Sequence, residues 1–234
     1  MSTAAVLSDF FTAALREARS ERPASLASRI PALDELTEGG FPVNALTELF
    51  IPHAGIGEVR MLLPALASQK HVTWVLPCDS EAAPYAPALA DAGLDLDRQL
   101  FSIPSTPEEA FWCAEQAAAS GETSAVVWLN PLVHGKDGAA LARLDMAAHS
   151  TGTTIFLIRP SSMACTPSPA ELRLMLRPGR SGTVHVRATR RGAFFDRTRE
   201  ADVSLEERPL VPAPRACRRK VQKALASARL SPAC

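Results

Sequence analysis

The sequence predicts an α/β protein: a mostly parallel sheet with helices on both faces, an antiparallel edge pair, an N-terminal helix and a basic C-terminal tail. Three observations carry this. Short apolar runs at 71–77 (HVTWVLP), 124–131 (SAVVWLNP) and 153–160 (TTIFLIRP) alternate with stretches of helical spacing at about 84–92, 106–120 and 137–150. A strand covered on both faces is apolar throughout, and strands alternating with helices imply βαβ crossovers. After Pro160 the pattern changes: a Pro/Ser-containing linker leads to ELRLMLRP and GTVHVRATRR, which alternate and predict two antiparallel edge strands joined by a glycine-containing turn at 178–182. The charge is also segregated, with 9 Lys+Arg against 19 Asp+Glu in residues 1–158 and 16 against 6 in residues 159–234.

Taken in chain order, VLSDFFTAALREARS places Leu7, Phe10, Phe11, Ala14, Leu15 and Ala18 on one helical face, with Asp9, Arg16, Glu17 and Arg19 off it. This amphipathic helix either packs on its own domain or docks on a partner, with Phe10, Phe11 and Leu15 as the apolar anchors. A Gly39-Gly40 turn and Pro42 precede a strand at about 45–51. The expected organisation is a helix and linker over 1–25, a core over 26–208 and a basic tail over 209–234.

At 234 residues, 47% hydrophobic and 21% charged, the chain can bury one substantial α/β core. It has no uninterrupted apolar run of about 18 residues and no charged-then-apolar leader pattern. A soluble, cytoplasmic protein is therefore expected, with no membrane partner. Cys78, Cys113, Cys165, Cys217 and Cys234 are scattered, form no C-x-x-C and are odd in number, so they are read as free thiols rather than disulfides or zinc ligands. The histidines are isolated, and neither H-E-x-x-H nor G-x-S-x-G occurs. His53 beside Glu58 is the one pairing to note.

The stretch LFIPHAGIGEVRMLL at 49–63 has an apolar strand, a turn with Gly55 and Gly57, and an apolar helical run. That order matches the phosphate-cradling loop of nucleoside triphosphatases, in which backbone N–H groups and a helix N-terminus face the anion. The chemistry does not match. Such a loop needs a lysine for the outer phosphates and a hydroxyl for magnesium, directly after the last glycine. Here Glu58 and Val59 follow Gly57, and a carboxylate in place of an ammonium turns attraction into repulsion. Pro64 is expected to kink or end the helix that follows. No cofactor and no metal are expected.

LDELTEGGFPVNALTELF and the turn after it resemble the opening of the RecA core, and the segment from PYAPALADAGLDLD to SAVVWL resembles RecA's continuation. The likeness runs over roughly 26–160, and more loosely to about 195. What it implies is a RecA-like core that has lost its nucleotide chemistry. Cys78 stands where RecA has the glutamate that activates water, and Asn130 where an aspartate would hold magnesium. Tyr85 aligns with the tyrosine that stacks on adenine, though a lone Tyr after a loop is more often a packing residue.

A degenerate RecA-like core with a leading helix and a basic tail is similar to the ImuA family, through the words ALTEL, HAGIGE, RMLLPAL, PYAPAL, AGLDL and FLIRP. The resemblance implies a non-enzymatic role in the bacterial SOS response, in translesion synthesis and induced mutagenesis. The implied partners are an ImuB-type Y-family polymerase homologue, an error-prone replicative-type polymerase and RecA. A division inhibitor of the SulA type, or a RecA-like ATPase with an unorthodox loop, are the alternative expectations. For the basic third, Arg187, Arg190, Arg191, Arg197 and Arg199, with Arg218, Arg219, Lys220 and Lys223 beyond them, predict contact with DNA phosphates, contact with an acidic partner, or a solvated face.

Overall fold

Eight strands form one sheet, running across it in the order 196–204, 183–191, 172–178, 46–51, 154–160, 125–129, 72–75 and 99–102. The structure, a computed structural model, describes residues 24–78, 84–129, 138–180, 182–191 and 196–205. The strands are β1 (Ser25–Leu26), β2 (Phe41–Pro42), β3 (Leu46–Ile51), β4 (Val72–Val75), β5 (Gln99–Ser102), β6 (Ala125–Leu129), β7 (Thr154–Pro160), β8 (Leu172–Pro178), β9 (Thr183–Arg191) and β10 (Asp196–Ser204). The helices are α1 (Pro31–Leu36), α2 (Glu58–Leu66), α3 (Ala86–Asp91), α4 (Pro107–Ala119) and α5 (Gly138–Thr151). The six strands from β5 to β8 in that order are joined by parallel ladders, while β8–β9 and β9–β10 are antiparallel. The α/β class, the mostly parallel sheet and the antiparallel β8–β9 pair are as expected.

Each face of the sheet has its own core. On one face Leu49, Ile51, Trp74, Phe156, Leu172 and Leu174 pack with Leu33 of α1, Met61, Leu62 and Leu66 of α2, and Leu89 of α3. On the other, Leu46, Val126, Trp128, Ile155 and Leu157 meet Ala110, Ala114 and Ala118 of α4 and Leu141, Leu144 and Ala148 of α5. The alanine stripe of α4 lets that helix lie close to the strands. Strand residues of alternating parity serve opposite cores, which is why these strands are apolar at most positions on both faces.

α4 begins at Thr106, whose side chain accepts a hydrogen bond from the Glu109 N–H at 3.2 Å, while Glu109 accepts from the Ser105 N–H at 2.7 Å. This reciprocal capping, with Pro107 at the first turn, fixes the helix start. α2 runs two residues past Pro64 and stops at Leu66, consistent with a ring that removes one ladder bond near the end.

Besides the short β1, α1 and β2 before β3, two elements of the main sheet lie outside the sequence expectation. β5 is a sheet edge only four residues long, with Leu100 and Phe101 exposed, so it carries no buried apolar run. β10 (DRTREADVS) is mostly charged and is held by a nine-residue ladder to β9; among its described side chains, Ala201 and Val203 pack on the core. The stretch after Pro160, read as a linker, is a crossover: it carries the chain from β7, on one side of β3, to β8 on the other. Among the described residues, no helix is long and apolar enough to cross a membrane.

Candidate functional site

β3 is buried along its whole length and delivers the chain to an exposed loop at Pro52–Gly55. Gly55 and Gly57 have φ of 87° and 104°, left-handed values that a side chain would strain, and Gly57 is the N-cap of α2. The backbone is thus of the kind that can turn N–H groups towards an anion. The occupant is the chain itself. The Gly55 N–H donates to Glu58 Oε1 at 3.0 Å, and the Glu58 side chain is buried, with 7% of the residue exposed. Its other oxygen is enclosed without a hydrogen-bond partner among the described residues. Leu205, just past β10, closes a second side: a Cβ added at Gly57 would lie 2.4 Å from Leu205 Cδ1.

The carboxylate therefore stands where a bound anion would need the N–H groups, and a phosphate brought there would meet like charge in a partly dry site. His53 does not pair with Glu58; its Nδ1 lies 3.1 Å from the Ala54 carbonyl oxygen. Cys78 is half-buried at the end of β4, packed on the α4/α5 core. Tyr85 is 69% exposed at the N-cap of α3. Asn130, Phe10, Phe11, Leu15, Arg218, Arg219, Lys220 and Lys223 lie outside the described residues.

Among the described side chains, the arginines of β9 and β10 fall on two faces, because strand alternation separates them. Arg187 is exposed and sits across from Met175 and Glu200. Arg190 has the opposite parity: it donates to the Gly40 carbonyl at 3.1 Å and lies 3.6 Å from Glu171. Arg199 pairs with Glu38 at 3.0 Å. In the ladder, Arg197 is opposite Arg190, and Arg191 is opposite Asp196. Two of the five arginines thus tie the β9–β10 ribbon to the segment around α1, which the run of basic letters did not reveal.

A second cluster was missed entirely. Glu48, fully buried in β3, accepts hydrogen bonds from Arg159 of β7 and from Arg173 of β8 at 2.9 Å. Arg173 also donates to the Thr166 carbonyl and lies over the Phe50 ring, 4.8 Å from its centre. The signal was present in TELF and FLIRP: a charge inside an apolar strand requires a buried partner. Which partner is a matter of strand order. Glu171 lies near Arg190; burial raises its pKa above the usual carboxylate value, opposed by Arg190 and His149 and reinforced by Asp145.

Among the described residues, no group of three or more His, Cys, Asp or Glu is placed to hold a metal ion. No protein-family model matches the chain, and no curated protein matches it.

Proposed function

We propose that this chain is a non-catalytic, RecA-like accessory protein of the bacterial SOS response, similar to the ImuA family. It acts in translesion synthesis and induced mutagenesis by binding protein partners: an ImuB-type polymerase homologue, an error-prone replicative-type polymerase and RecA. The observation that carries the reading is the loop after β3, where the chain's own Glu58 takes the Gly55 N–H and Leu205 covers Gly57. A loop filled in this way has no use for the turnover machinery, and the sequence around it lacks the lysine, the hydroxyl and the acidic partners that machinery needs. The mostly parallel sheet built around that loop is in keeping with a RecA-like core, and binding surfaces are what such a core retains when its chemistry is lost.

The test is a pull-down of the purified full-length chain against RecA and the ImuB-type partner, with and without ATP and single-stranded DNA. Retention of a partner without ATP is the expected result. Failure to retain either partner, together with ATP turnover by the chain alone, would overturn the proposal.

A further inference from the structure

The far edge of the sheet differs in character from the loop. Residues 84–129, which build α3, β5, α4 and β6, contain seven acidic residues (Asp91, Asp95, Asp97, Glu108, Glu109, Glu115, Glu122) and one basic residue, Arg98. Among the described residues β5 is the terminal strand, hydrogen-bonded to β4 on one side. On β5 and just after it, Leu100 and Ile103 are 62% and 75% exposed, and Tyr85 at the start of α3 and Trp112 in α4, on the two faces of the sheet, are 69% and 60% exposed. Acids flank the strand in the chain: Asp95 and Asp97 lie just before β5, and Glu108 and Glu109 at the start of α4 just after it. Large side chains this exposed beside an open strand mark a contact surface, and the surrounding charge defines what it accepts.

The complementary chemistry is in the same chain. Residues 209–234 carry six basic side chains (Arg215, Arg218, Arg219, Lys220, Lys223, Arg229) and no acidic one, with Val221, Leu225 and Leu230 among them. The described chain ends at Leu205, which packs against Gly57 beside β3. From β3 to β5 is four strand steps, about 19 Å at the usual strand spacing. The nine residues 206–214 can cover up to about 30 Å, which is long enough for the basic segment to reach that edge of its own molecule.

We infer that the acidic, apolar β5 edge binds the chain's own basic residues 215–230 through paired charges and apolar contacts. The inference does not depend on the role proposed above. It makes DNA or an acidic partner a competitor for the tail rather than its first contact.

The test is amide hydrogen exchange of residues 99–103 in the full-length chain. At about 50 mM salt the expected protection is roughly tenfold greater in the wild type than in the triple variant Arg218→Glu, Arg219→Glu, Lys220→Glu, and it falls in the wild type at about 500 mM salt as screening shortens. Adding Asp97→Lys and Glu108→Lys to the triple variant restores it, which simple misfolding would not do. Unchanged protection in the triple variant, or no rescue by the charge swap, would overturn the inference. Protection that rises with protein concentration would overturn its same-chain form and assign the edge to the tail of a second copy.

Discussion

Gly57 shows how much one residue position can decide. Its φ of 104° and the 2.4 Å separation between an added Cβ and Leu205 Cδ1 act together. Gly57→Ala is expected to lower stability by about 1–3 kcal/mol, and Leu205→Ala in the same chain should recover the steric part but not the backbone part. Chemical denaturation of the two single variants and the double variant measures the split; strictly additive losses would show that the two sites do not touch energetically. Glu58→Ala removes the acceptor from the Gly55 N–H and is expected to cost about 1 kcal/mol.

Glu171 supplies a pH-dependent case. Its folded-state pKa is raised, mainly by burial, so between the unfolded and folded values the native state binds more protons than the unfolded one, and stability falls as pH rises through that window. Glu171→Gln removes this dependence. The variant should therefore gain stability relative to the wild type as pH rises above the ordinary carboxylate value, and the two denaturation midpoints should draw together in more acidic solution.

Between elements, the buried Glu48 joins β3 to β7 and β8 through Arg159 and Arg173. Glu48→Gln leaves two guanidinium groups facing an uncharged amide in a dry interior, so about 3–5 kcal/mol of stability should be lost. The β9–β10 ribbon separates its arginines in the same testable way. Arg190→Ala breaks the bond to Gly40 and the pair with Glu171, and is expected to cost about 1–3 kcal/mol. Arg187→Ala, on the exposed side, should change stability by less than about 0.5 kcal/mol, and a basic surface that contacts phosphate would show the reverse order in DNA affinity. Equal thermal shifts for the two variants would mean that alternation does not separate their roles.

For the whole molecule, the relevant quantity is linkage. A ligand at 100 times its dissociation constant stabilises the fold by about 2.7 kcal/mol. With Glu58 in the loop, saturating ATP and magnesium should leave the unfolding midpoint unchanged. An upward shift would return the ATPase alternative to consideration.

The sequence by itself determined the α/β class, β3, β4, β6 and β7, α3 to α5 and the antiparallel β8–β9 pair, because strands buried on both faces and amphipathic helices write their periods directly into the chain. It also showed that the glycine loop lacks a lysine. It did not reveal β5 or β10, since an exposed edge strand and a charged ribbon owe their conformation to the ladder beside them rather than to their own apolar pattern. Nor did it show that Glu58 fills the loop, that Leu205 covers it, or that Glu48 holds two arginines from strands more than a hundred residues away. Those contacts join residues remote in sequence, so only the order of strands in the folded sheet decides which charge meets which. The same alternation that made the strands legible broke the basic run of letters into two faces, with Arg190 and Arg199 tied to the protein's own acids and Arg187 exposed.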